Sequence, residues 1–120
     1  MHSPTFGDRH WKPFATFANL QEAAESLPAG GYDYLMVASK SLPELEDMPS
    51  MAVPVVTLGK TAIVLLQNGI GIEDAWTSRF PCNVVISAMV STGATQIESG
   101  QIWVRLLFST FYIGFQRLTL

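Results

Sequence analysis

Cysteine is nearly missing from these 120 residues: Cys82 stands alone. A single thiol excludes an internal disulfide and fits a reducing compartment. Charge is sparse too, with 14% of residues charged and a net charge of −3. The basic residues, Arg9, Lys12, Lys40, Lys60, Arg79, Arg105 and Arg117, are scattered, and no run could track a phosphate backbone. Nucleic acid is therefore not an expected partner. Apolar runs fall well short of membrane-spanning length, and Arg105 interrupts the most apolar region, so no membrane partner is expected. The opening residues, MHSPTFGDRHW, contain no apolar signal core, and the expected location is the cytoplasm. His2 and His10 lie far in sequence from Cys82, and no Cys/His group has metal-ligand spacing. A metal site is not expected. Neither G-x-G-x-x-G nor a P-loop occurs anywhere in the chain.

What the chain does have is a core: 48% of its residues are hydrophobic, enough for one ordinary domain. The organising stretch is Thr61 to Gly71, TAIVLLQNGIG. Four consecutive branched apolar residues, Ile63 to Leu66, read as a parallel strand buried on both faces. Asn68-Gly69-Ile70-Gly71 then forms a polar turn. Ile72, Glu73 and Asp74 open a helix, with acids where the helix dipole favours them. Two further runs, Tyr34 to Ser39 and Asn83 to Met89, read as buried strands, and Lys40 follows the first directly.

Residues 1–13 show no periodicity and read as a poorly ordered lead-in, followed by a single domain over 14–120. Phe14 to Ala18 reads as a short strand. Asn19 stands three residues before Glu22, a capping-box spacing, ahead of a helix carrying Leu20, Ala23, Ala24 and Leu27 on one face. Pro28-Ala29-Gly30-Gly31 ends it. Helical turns are expected near Pro43 and between Met51 and Thr57, the second limited by Pro54. The helix from Ile72 closes at Phe80, before Pro81. Thr92-Gly93-Ala94-Thr95 reads as a loop after the third buried strand. Gln96 to Leu106 reads as a hairpin around Glu98-Ser99-Gly100, and Leu107 to Phe115 as one further strand. The expected fold is α/β: an incomplete Rossmann-like, mostly parallel sheet with flanking helices and a C-terminal β-hairpin.

Right-handed crossovers bring the carboxyl ends of such strands to one edge, where open α/β sheets bind ligands. Lys40, Asn68 and the Thr92-Gly93 turn are the candidates there. A lone lysine at a strand end is several-fold more often a solvent-facing residue. Asn-Gly is the commonest turn dipeptide, so Asn68 with Gly69 is about evenly a turn or a ligand contact. Thr92-Gly93 is more often a plain loop. Three candidates on one edge favour a ligand cleft. Cys82 reads as a half-buried structural thiol, Glu44, Glu46 and Asp47 as a solvated face, and Trp11, Trp76 and Trp103 as packing residues.

The run from about Phe14 to Gly114 resembles the amino-terminal domain of the ketopantoate reductase (2-dehydropantoate 2-reductase) family. The matching pieces are Tyr32-Asp33-Tyr34 leading to Lys40, Pro54-Val55-Val56-Thr57, Ile63 to Glu73, Arg79-Phe80-Pro81, Val84 to Ser87, Gly93-Ala94-Thr95 and Glu98-Ser99-Gly100. The resemblance implies NADPH-dependent reduction of ketopantoate to pantoate, on the route to pantothenate and coenzyme A. It implies cofactor contacts at Lys40, Asn68 and Gly69, with another near Gly93. The family's G-x-G-x-x-G unit and its helical domain with the catalytic lysine have no counterpart in these residues. The chain thus reads as a partial NADP-binding domain that holds no catalytic residue and is inactive alone. With the first βαβ unit missing, the strand at Tyr34 exposes an apolar edge, and low stability or self-association is expected. Two alternatives stay open: a non-catalytic α/β module pairing through that edge, and a fragment of a related NAD(P)-dependent β-hydroxy acid dehydrogenase.

Overall fold

The structure, a computed structural model, describes residues 2–3, 7–8, 10–42 and 46–115, and of residues 2, 3, 8, 91, 92 and 105–115 the backbone alone. Contacts divide the chain into two units. One comprises Phe17–Met89 with Tyr112–Leu120, the other Met1–Thr16 with Val90–Phe111.

In the first unit, α1 (Leu20–Glu25) begins where the capping-box spacing places it. Glu22 N donates to Asn19 Oδ1 at 2.9 Å, and Ala18 N donates back to Glu22 Oε2 at 3.1 Å. Together they satisfy two amides that a helix start leaves unpaired. Strand β3 (Tyr34–Val37) follows, then α2 (Met48–Met51), a 3-10 turn (Val53–Val55), β4 (Ala62–Leu65), α3 (Ile72–Arg79) and β5 (Val85–Glu98). The helical turn expected at Pro43 and Leu45, and Glu44 of the acidic group, lie outside the described residues; Glu46 N donates to Leu42 O at 3.0 Å across that segment.

Strands β3, β4 and β5 are parallel neighbours with β4 in the middle, as βαβ crossovers require. Their register is Val37↔Leu65 and Leu65↔Ser87. Side chains alternate between sheet faces, so Val37, Ile63, Leu65 and Val85 share one face. That face packs with Ala52, Trp76 and Phe80 into the core, joined by Leu20, Leu35, Met48, Val56 and Ile72. Trp76 is the largest side chain buried there.

The expectation of strands buried on both faces is corrected. Ala62, Val64 and Leu66 are only half-buried, and on β3 Tyr34 and Met36 are 68% and 63% exposed. The reason is that the core-forming residues of α1, α2 and α3 join the cluster on one sheet face.

A buried polar knot fastens the amino ends of the strands. Asn83 Nδ2 donates to Thr57 O at 2.9 Å and to Thr61 O at 2.8 Å, and Gly59 N donates to Asn83 Oδ1 at 3.4 Å. Thr61 Oγ1 donates to Tyr32 O at 2.7 Å and accepts from Thr57 N at 2.9 Å. Beside it Lys60 pairs with Asp33 at 3.2 Å and donates to Gly30 O.

In the second unit, β5 runs on without interruption to Glu98, turns at Ser99-Gly100, and returns as β6 (Gln101–Phe115). In the segment read as a lead-in, β1 (His2–Ser3) and β2 (Gly7–Asp8) pair antiparallel, and β1 pairs parallel with β6 at His2↔Trp103.

Five further expectations are corrected. Phe14–Ala18 is not a strand: Phe14 is fully exposed, no ladder partner is offered among the described residues, and the amide of Ala18 is committed to the α1 cap. Thr92–Thr95 is not a loop, because pairing of β5 with β6 carries the ladder through it, and Leu107–Phe115 is the continuation of β6 rather than a separate strand. Cys82 is exposed, in the turn that Asn83 N closes on Phe80 O. Of the three tryptophans only Trp76 is buried, and Trp11 is 83% exposed.

Candidate functional site at the strand carboxyl ends

The geometry of the site follows from the register of β3 and β4. Val37 is paired with Leu65; Lys40 lies three residues beyond the one and Asn68 three beyond the other. Both therefore follow closely on the carboxyl ends of adjacent parallel strands, and both are exposed. Two bonds hold the strand ends together at this edge. Leu66 N donates to Val37 O at 2.8 Å, and Gln67 Nε2 donates to Ser39 O at 2.9 Å. Gln67 is buried, 8% exposed, although it lies where the apolar run stops. It is the residue that the sequence-based reading passed over. Period-two alternation was the available signal, since Gln67 continues the Ile63, Leu65 series facing the core.

Beyond Asn68 the chain must reverse tightly into α3. Gly71 supplies a left-handed φ of 76° as the N-cap, a conformation that a side chain disfavours. At Gly69 a Cβ would come within 2.6 Å of Ile72 Cδ1, so the glycine lets the turn lie close on the helix start. Two hollows open at this edge. One of about 150 Å³ is lined by Leu42, Met48, Gln67, Ile70 and Trp76 among others. The other, of about 280 Å³, lies between the ends of β4 and β5 and the first turn of α3, with Gln67, Gly69, Glu73, Ser87 and Met89 in its lining. There Ser87 Oγ donates to Glu73 Oε2 at 3.4 Å, a long and weak bond.

Of the sequence-based candidates, the structure thus brings Lys40, Asn68 and Gly69 to one edge. Gly93 sits within β5, in the other unit, where the hairpin ladder replaces the expected loop.

The match with known proteins follows the same course. The family model described as ketopantoate reductase PanE/ApbA matches residues 1–116. The chain belongs to the ketopantoate reductase family. An uncharacterized protein of Saccharomyces cerevisiae is 30% identical over 110 residues, covering 77% of this chain and 30% of its own length. The meiotically up-regulated gene 72 protein of Schizosaccharomyces pombe is 30% identical over 120 residues, covering 95% of this chain and 21% of its own length. Among solved structures, 2-dehydropantoate 2-reductase from Methylococcus capsulatus superposes with a TM-score of 0.78 at 30% identity, over 95% of this chain and 34% of that one. The enzyme of that name from Geobacter metallireducens, at 21% identity and a TM-score of 0.59, shares the fold. The chain therefore spans about a third or less of these relatives. Its Rossmann-like arrangement is that of the reductases.

Among the described residues no helix is long and apolar enough to cross a membrane, and no group of three His, Cys, Asp or Glu side chains could hold a metal ion.

Proposed function

We propose that this chain supplies the strand-end edge of the NADP-binding domain of a 2-dehydropantoate 2-reductase, with Lys40, Asn68 and Gly69 as cofactor contacts. The observation that supports this reading most is that Lys40 and Asn68 each follow closely on adjacent parallel strands, β3 and β4, whose ends Gln67 ties together through Ser39.

The residues suit such a ligand chemically. The Lys40 ammonium offers a positive charge and three donors to phosphate or ribose oxygens, and the Asn68 amide can donate and accept at once. Gly69 leaves the backbone open to close approach. NADPH, when bound, supplies the hydride for a ketone such as ketopantoate. The chain's own part is to bind and orient. None of Lys40, Asn68 or Gly69 is placed here as a proton donor, and we assign no catalytic residue to these 120 residues. The reading further holds that they do not turn over ketopantoate by themselves.

Two measurements test it. NADPH should protect the Lys40 amine from acylation, read by mass spectrometry, with Lys12 as the unprotected control. Mixing chain, NADPH and ketopantoate should give no loss of NADPH absorbance beyond the blank. Equal labelling of both lysines would sink the contact, and ketopantoate-dependent NADPH oxidation would sink the inactivity.

A further inference from the structure

The turn between β4 and α3 sets an exposed asparagine directly ahead of a glycine. We propose that Asn68 is a site of spontaneous covalent modification, losing its side-chain nitrogen as ammonia through an imide closed by the backbone nitrogen of Gly69. This rests on the turn itself and stands whether or not Asn68 contacts a cofactor.

In this reaction the Gly69 nitrogen attacks Asn68 Cγ, and the new C–N bond replaces the bond from Cγ to Nδ2. Nδ2 leaves as ammonia with the proton that the Gly69 amide gives up. Water then opens the cyclic imide. Opening at Cγ leaves aspartate, and opening at the main-chain carbonyl leaves isoaspartate, with the chain routed through the side chain. Water is the only co-reactant, and nothing is oxidised or reduced. The structure favours this at one of the three asparagines of the chain. Asn68 is exposed, and its side chain makes no hydrogen bond among the described residues. The Gly69 N–H donates to no described carbonyl, and no Cβ shields the nitrogen. The turn also fixes this glycine, since a Cβ there would lie 2.6 Å from Ile72 Cδ1. The other two asparagines are held. Asn19 accepts from Glu22 N at 2.9 Å, donates to Glu22 Oε1 at 3.2 Å, and is followed by Leu20. Asn83 is buried, donates to Thr57 O and Thr61 O, and is followed by the β-branched Val84. Conversion at Asn68 sets an ionised carboxylate where a neutral amide stood, at the strand edge that also carries Lys40.

Ageing of the intact folded chain in mildly alkaline buffer, followed by peptide mapping in a mass spectrometer, tests this against a free peptide of residues 66–73. When half of the peptide has gained one mass unit at Asn68, the folded chain should have converted to an extent within several-fold of it. Asn19 and Asn83 should be unchanged. Isoaspartate should form at Asn68 in both, read by enzymatic methylation of that residue. In the peptide, where no fold is at stake, Gly69→Ala should slow conversion several-fold. A folded chain that keeps Asn68 intact while the peptide converts would overturn the proposal. So would conversion of Asn19 or Asn83 at the same rate, or a product of aspartate alone, which is direct hydrolysis without the imide. If Asn68 also holds the cofactor, the converted chain binds NADPH more weakly than the fresh one. Unchanged NADPH binding would count against that contact and not against the modification.

Discussion

Replacing Asn83 with leucine removes the donor that fastens two strand starts at once, while keeping the side chain's size. Thr57 O and Thr61 O lose their partners at 2.9 and 2.8 Å, and Gly59 N loses its acceptor at 3.4 Å. Thr61 is completely buried and Asn83 is 5% exposed, so water does not replace the bond to Thr61 O. A buried polar group left without its partner costs about 1–3 kcal/mol. Two carbonyls give about 2–6 kcal/mol, less some apolar burial gained by leucine, and the Gly59 bond is long enough to ignore. For a domain of this size, each kcal/mol lowers the melting temperature by about 4–8 °C. Asn83→Leu should therefore melt at least about 8 °C below the parent, followed by circular dichroism or the fluorescence of buried Trp76. Asn83→Asp should be no better, since it sets a carboxylate against two carbonyl oxygens. If Asn83→Leu unfolds within about 0.5 kcal/mol of the parent, within the range of ordinary surface changes, the knot does not anchor the sheet.

Other perturbations have equally definite outcomes. Gln67→Met should cost about 1 kcal/mol, the net worth of one hydrogen bond, in urea unfolding, and should weaken NADPH binding by up to about fivefold if the clamp sets Lys40 beside Asn68; unchanged affinity would separate the clamp from the site. The Asp47 carboxyl, N-cap of α2, is held below its ordinary value, first by a hydrogen bond from the Ser50 side chain and then by the Ser50 backbone N–H, with Arg79 adding attraction. Its folded value is depressed, so its contribution is present above the ordinary carboxylate value and is lost as pH falls through the folded one. Asp47→Asn should flatten that part of the acid side of the stability–pH curve. Met36, 63% exposed on β3, should drive concentration-dependent association measurable by sedimentation, and Met36→Lys should reduce it.

How much of this was legible in the sequence depended on whether the signal was local. The strand, turn and helix from Thr61 to Arg79 were plain because branched residues, two glycines and two acids follow one another without interruption. The α1 cap was plain because Asn19 and Glu22 are three residues apart. Phe14–Ala18 misled because two aromatics in a row of small residues look like a strand, while a ladder partner is a tertiary matter. Thr92-Gly93 misled for the converse reason: its local turn signal yields to a ladder that β6 completes from beyond Gly100. Gln67 and Asn83 were hidden because each finds its acceptor more than 20 residues away, at Ser39 and at Thr57 and Thr61. The position of Lys40 and Asn68 just past adjacent parallel strands was legible because each closely follows a run of apolar residues.

Equilibrium binding of NADPH to the intact chain, parent against Lys40→Ala and Asn68→Ala, is the most direct test of that placement. Each substitution is expected to weaken binding by about tenfold, equivalent to about 1.4 kcal/mol, with the melting temperature unmoved because both side chains are exposed. Parent-like affinity in both variants would contradict the account.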